Sequence, residues 1–156
     1  MASENISYQK VSIKYGILVG LAHIVYFLLM RIFGVLHIVE LSFLSGIFLV
    51  IGIVVAISNF KRARGGEINY FQGLAIGATT GVVSSTVLGL FLVAFITLFD
   101  SSYMANLQAS SLFPESLSVL ALFVLTIIYG SWPGFWLAFI AMQWFKTSDH
   151  TVPERV

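Results

Sequence analysis

The chain of 156 residues is 58% hydrophobic and only 10% charged, where a soluble domain carries roughly 25% charged residues. Its formal net charge of +1 gives no reason to expect nucleic acid as a partner, and without cysteine it has no disulfides, thiolate metal sites or thiol catalysis. Four long apolar stretches predict an all-α integral membrane protein, with four transmembrane helices in an antiparallel bundle.

Residues 1–10 are a short polar leader, and the first helix is expected over about 11–33. Its apolar part is too long for a signal peptide, Arg31 closes it, and no small-x-small cleavage site follows, so it reads as a retained anchor. Gly16 and Gly20 form a small pair four residues apart, and His23 falls near mid-helix. The tight connection from Gly34 to Glu40 gathers Arg31, His37 and Glu40, with Arg31 and Glu40 close enough in sequence to pair. The second helix is expected over about 41–60 and is dotted with Ser42, Ser45, Gly46, Gly52 and Ala56. The turn that follows, Lys61 to Glu67, is the most basic part of the protein, and Gly65-Gly66 ends the helix.

The third helix, about 70–99, has a readable start: Asn69 followed by Gln72 forms a capping-box pattern. Along it runs a ridge of small residues in GxxxG spacing, Gly73, Gly77, Gly81, Ser85 and Gly89, which in lipid lets another backbone come close. Each four-residue step overshoots a full turn by about 40°, so the ridge sweeps around the helix. Two neighbours are therefore expected to share it, Gly73 to Gly81 on one and Ser85 with Gly89 on the other. The segment 100–118 lacks lysine and arginine, and a short surface helix is expected around Ser102 to Ser110. Pro114 suits the first turn of the fourth helix, about 117–145. That helix is expected to be broken by Gly130-Ser131-Trp132-Pro133-Gly134, because Pro133 removes a ladder hydrogen bond. Residues 11–145 thus make one transmembrane domain, and 146–156 a polar, mobile tail.

Lysines and arginines set the orientation. Lys10, Lys14, Lys61, Arg62, Arg64, Lys146 and Arg155 fall on one side and Arg31 alone on the other, which places both termini in the cytoplasm. The expected setting is the inner membrane of a bacterium, with the lipid bilayer as first partner. A three-residue echo, Ile6-Ser7-Tyr8 against Ile68-Asn69-Tyr70, is too short to establish duplicated hairpins.

Two stretches resemble a bacterial family of unknown function, numbered 4199. One is Ile6-Ser7-Tyr8-Gln9-Lys10-Val11 leading into Lys14-Tyr15-Gly16 and Gly20. The other is Asn59-Phe60-Lys61 and Gly66, followed by Ile68-Asn69-Tyr70-Phe71-Gln72-Gly73 and Gly77. The resemblance covers roughly residues 6–80 and implies a small multi-span bacterial membrane protein with no activity or ligand to transfer.

His23 is the main chemical candidate, because an ionisable group at mid-membrane is costly unless it works or is paired. It is either a proton-relay or ion-binding residue, or a neutral imidazole bonded to a hydroxyl on a neighbouring helix. Ser84, Ser85 and Ser131 fall at the same depth. The break at Pro133 is a second candidate, either as a pocket with exposed backbone or as a plain kink. Lys61, Arg62 and Arg64 attract anionic lipid but are too few for specific recognition. No paired carboxylates within a span, zinc motif or phosphate-binding loop is present. The sequence therefore points to a non-enzyme that needs no cofactor. Small-residue faces at Gly16, Gly20, Gly73 to Gly89, Gly130 and Gly134 suggest an accessory or assembly subunit, contacting itself or another membrane protein. The alternative is a small transporter or channel-forming subunit built around His23.

Overall fold

A computed structural model describes residues 7–110 and 112–146. The ends of the expected leader and tail, 1–6 and 147–156, lie outside the described residues, as does Ile6 of the short echo. Among the described residues all regular structure is α-helical: α1 (Tyr8–Ile32), α2 (Val39–Leu44), α3 (Gly46–Ala63), α4 (Tyr70–Leu98), α5 (Ser102–Ala109) and α6 (Val119–Lys146). Four helices are long and apolar enough to cross a membrane, with α2 and α3 together making the second. Two ends can be named. The basic end holds the start of α1 and the Lys61 to Glu67 turn; the far end holds the Gly34 turn and α5.

α4 is the central helix, packed against α1 on one side and α6 on the other. Its 29 residues span about 43 Å at ~1.5 Å per residue, more than the ~30 Å of a hydrocarbon layer. The Asn69 side chain accepts from Phe71 N at 3.0 Å, and the Gln72 side chain accepts from Asn69 N at 3.4 Å. The sequence pattern at this helix start is therefore a formed capping box.

Small residues decide the spacing around α4. Gly16 and Gly20 of α1 lie on Val83 and Val87, where an added Cβ would stand 2.6 and 2.7 Å from the valine Cβ atoms. The two helices advance in step, so α1 and α4 run parallel. Against α6 the order reverses: Gly73 meets Met142, Gly77 meets Ala138, Gly81 meets Gly130 and Gly134, and Gly89 meets Phe123. Ser85 lies against Gly130. The whole ridge thus faces a single antiparallel partner and is not divided between two. Pro133 lies midway along this contact and leaves α6 one ladder bond short, which lets α6 follow the ridge around α4.

Pro133 does not break the helix, since α6 continues through it from Val119 to Lys146. Prolines are carried in this way where neighbouring helices support the backbone. Pro114 lies ahead of the helix, its carbonyl accepting from Leu117 N at 3.0 Å. The Ser118 hydroxyl takes the capping role and accepts from Ala121 N at 3.1 Å.

Two apolar clusters divide the interior. Near the basic end, Val19, Leu49, Ile53, Ala56, Ile57, Phe60, Ile76, Ala138 and Met142 draw on α1, α3, α4 and α6. Near the far end, Phe27, Leu92, Phe95, Ile96, Tyr103, Leu107, Leu117 and Leu122 come from α1, α4, α5, the segment after α5, and α6. Among the described residues, none of α2 or α3 is a buried member of this second cluster.

Candidate functional site

The second span is interrupted at Ser45, between α2 and α3, by a single tightened turn of right-handed helical conformation. Ser45 N reaches back only three residues, to Ser42 O at 3.2 Å, and Phe48 N does the same to Ser45 O at 3.0 Å. This tightened turn leaves carbonyl capacity over, and α1 fills it. Tyr26 donates its hydroxyl to Leu41 O at 2.9 Å, and His23 Nε2 bonds Ser45 O at 3.0 Å. The rings of both residues meet Phe48 edge to face, with centroids 6.2 and 5.9 Å apart.

That bond fixes the chemistry of His23. A carbonyl only accepts, so the ring proton sits on Nε2 and Nδ1 is left as an acceptor. The side chain is 8% exposed, and Nδ1 is buried with no hydrogen-bond partner. Native structures rarely leave a buried polar atom unsatisfied without a reason.

Beside it is a cavity of about 290 Å³, at the small end of the range for small-molecule sites. His23, Ser42, Ser45, Gly46 and Leu49 form one wall; Ser84, Ser85, Leu88 and Leu92 of α4 form the back. Thr126, Tyr129, Gly130 and Pro133 of α6 form the other wall, and Tyr103 and Leu107 of α5 close the far end. Phe43 and Tyr129 are lining residues more than half exposed, one on α2 and one on α6. The opening therefore lies between those helices, on the flank of the protein. α3 and α6 meet at the basic end, where Lys61 Nζ donates to Phe145 O at 3.1 Å, and they stand apart further along.

Most polar groups on the walls are already engaged. Ser84 and Ser85 donate back to Gly81 O at 3.0 and 2.7 Å, Thr126 to Leu122 O at 2.8 Å, and Ser45 to Ser42 O at 2.7 Å. Ser42 lies against Tyr103, yet its Oγ is buried without a hydrogen bond of normal geometry. Burial pushes the Tyr103 phenol above its ordinary range, so it stays protonated and neutral. Lysine, arginine, aspartate and glutamate are absent from the lining. Among the described residues no three His, Asp or Glu side chains are grouped to hold a metal.

The predicted polar residues are thus partly brought together. His23, Ser84 and Ser85 share the cavity, but neither serine bonds the histidine, whose partner is a backbone carbonyl. Ser131 lies outside the lining and donates to Ile127 O. Gly130 and Pro133 join the wall. Arg31 does not turn to Glu40: it sits over the Phe95 ring at 4.6 Å and pairs with Asp100 at 3.8 Å. Sequence reasoning missed Ser42, Ser45 and Tyr103 as site residues. The Ser45-Gly46 step in an otherwise apolar run was the available signal for the first two.

Neither curated proteins nor solved structures give a match to this chain. A family model described as a protein of unknown function, DUF4199, matches residues 14–114. That stretch runs from α1 through α5, and so includes His23, the Ser45 break and the Tyr103 closure. With about two thirds of its length matched by that model, the chain belongs to the DUF4199 family.

Proposed function

We propose that this is a non-catalytic integral membrane protein that works by holding a small molecule in the cavity beside His23. It is the binding element of a small carrier rather than a continuous channel. The observation that carries this reading is a cavity of about 290 Å³, lined by His23 and by no lysine, arginine, aspartate or glutamate, that opens sideways. A channel needs a path through both halves, whereas the basic half is filled by the cluster around Ile53, Ile57 and Ile76, each 0% exposed. The excess of lysine and arginine supports a reading in which the basic end lies on the cytoplasmic side of a bacterial inner membrane.

Native mass spectrometry of the full chain released from lipid nanodiscs tests the reading. Gly46 lines the cavity and has nothing within 4 Å of an added Cβ, so a Gly46→Leu side chain starts in open space. The wild type is expected to retain a non-protein mass at one per chain, and Gly46→Leu to lose it. No retained mass, or one indifferent to the substitution, contradicts the proposal.

A second reading, an accessory or assembly subunit, keeps one observation in its favour. Trp132 and Trp136 of α6 are 66% and 47% exposed and touch edge to face near the middle of a span, whereas tryptophan favours membrane interfaces. A partner helix over this face satisfies both rings. The small-residue faces lend this reading nothing, because each is occupied within the chain. A strictly monomeric mass in mild detergent, with no co-purifying chain, would count against it.

A further inference from the structure

We propose that an anionic phospholipid binds at the basic end, on the lipid-facing side of the seam between α1 and α3, with its phosphate held between Lys14 and Arg62. The site is separate from the cavity and does not depend on it.

The antiparallel pairing of α1 with α3 creates the site. Gly52 packs on Val19, where an added Cβ would stand 2.1 Å from the valine Cγ2. Counting outward from that contact at equal rise, Arg62 comes level with the first turn of α1. Between the two, the Asn59 side-chain amide donates to the Tyr15 hydroxyl and ties the helices together. Lys14 stands about one turn further in, and its Nζ returns over the Tyr15 ring, 6.0 Å from the centroid. Helical side chains tilt toward the N-terminus, so Lys14 leans to the basic end and its ammonium reaches the headgroup level by snorkelling. Direction follows from the helical step of two residues, about 200°. Lys14 is two residues from Gly16, which packs on α4, and Arg62 is two residues from the buried Phe60. Both cations therefore point away from the core, on either side of the Tyr15–Asn59 bond.

Three features select an anionic headgroup. The first is charge. Lys14 and Arg62 are exposed, and neither pairs with a carboxylate among the described residues, of which only Glu67 is acidic at this end. The other two cations of the turn are directed elsewhere, Lys61 to Phe145 O at 3.1 Å and Arg64 to Gln72 Oε1 at 3.0 Å. The turn by itself holds too few cations for recognition; the fold adds Lys14, with Lys10 nearby, and brings the basic end to the four or more that mark anionic-lipid binding. The second is hydrogen bonding. Asn59 is exposed, and its amide keeps one N–H beyond the one given to Tyr15. A phosphate or ester oxygen accepts it, whereas hydrocarbon leaves it unsatisfied. The third is shape. Leu18 and Val25 continue the outer face of α1, and Ile51 and Val55 that of α3. These exposed apolar side chains give the acyl chains a surface that runs inward from the phosphate.

The test is native mass spectrometry of the full chain in neutral detergent, titrated with dioleoylphosphatidylglycerol or dioleoylphosphatidylcholine. The first phosphatidylglycerol is expected to bind about tenfold more tightly than the first phosphatidylcholine, and Lys14→Gln or Arg62→Gln to weaken it about fivefold each. Neither substitution should change phosphatidylcholine binding. Lys10→Gln removes the same charge at the same end, from a position about 140° around α1 from Tyr15, and is expected to cost less than about twofold. Gly46→Leu, which alters the cavity, should leave phosphatidylglycerol binding unchanged. Equal affinity for the two lipids overturns the proposal, as does binding untouched by Lys14→Gln or Arg62→Gln. Equal losses from Lys10→Gln and Lys14→Gln also overturn it, because only the diffuse charge of the basic end would then attract the lipid. A loss with Gly46→Leu would put the lipid in the cavity instead of the seam.

Discussion

The two halves of this protein are built from the same kinds of residue and packed by opposite rules. In the basic half, glycines bring backbones so close that an added Cβ at Gly81 would stand 2.7 Å from Gly130 O, and one at Gly77 2.8 Å from Gly134 O. In the far half, a Cβ added at Gly89 would still meet Phe123 at 2.9 Å, but one at Gly46 has nothing within 4 Å. In lipid there is little hydrophobic drive to bring helices together, so close approach is governed by side-chain size along facing ridges. From Gly73 to Gly81, α4 and α6 match ridge to ridge and leave no room. α2 and α3 meet at the tightened Ser45-Gly46 turn, which lines the cavity. A glycine locks α4 to α6 and leaves open space at the start of α3, depending on whether it faces another helix.

Substitutions separate the halves if this account holds. Ile76→Ala, at a position 0% exposed in the basic cluster, is expected to cost about 2–5 kcal/mol by opening a void in filled space. Leu88→Ala, beside existing space, should cost clearly less. Unfolding free energies in the same detergent compare them, and equal losses would mean that the far half is as well packed as the basic half. Next in size, Gly77→Val is expected to cost about 1–3 kcal/mol through overpacking against α6, while Gly46→Ala should stay within about 0.5 kcal/mol of wild type. Thermal unfolding monitored by circular dichroism reads both.

His23→Leu comes third. It removes the bond to Ser45 O, but that carbonyl keeps Phe48 N, so the loss should be about 1 kcal/mol. A much larger loss would make His23 chiefly a structural strut for the Ser45 turn.

The smallest expected effect is at Asp100, at the far end. Its hydrogen bond from Ser102 holds the carboxyl below its ordinary value of 3.8, with Arg31 adding a smaller pull the same way. A depressed carboxylate contributes stability above that ordinary value and loses it as pH falls through the folded-state value. Acidification from pH 6 to pH 3 should therefore lower the unfolding temperature slightly more in the wild type than in Asp100→Asn. An identical drop would show that the group contributes nothing measurable.

Much of this was legible in the sequence. The α4 start was explicit in Asn69 and Gln72, and the surface helix around Ser102 to Ser110 appears as α5. The small-residue ridge was visible too, but its single partner was not: drift of a four-residue repeat predicts two neighbours only if each is straight, and α6 carries Pro133. The proline drew attention as a break, whereas the helix interruption lies at Ser45, where no proline marks it. The depth of His23 was readable by counting from Arg31. Its partner was not, because a backbone carbonyl released by a turn leaves no residue-specific trace. The Arg31 partner, Asp100, stands 69 positions away, beyond any local pattern.

The contrast between the halves can be measured directly by methyl NMR on the full chain in nanodiscs, recording contacts between protein methyl groups and lipid acyl chains. Leu88, Leu92 and Leu122 line the cavity, while Ile53, Ile57 and Ile76 fill the basic cluster. Acyl-chain contacts at the three leucines and none at the three isoleucines are predicted. Leucines as silent as the isoleucines would contradict a far half open to the bilayer.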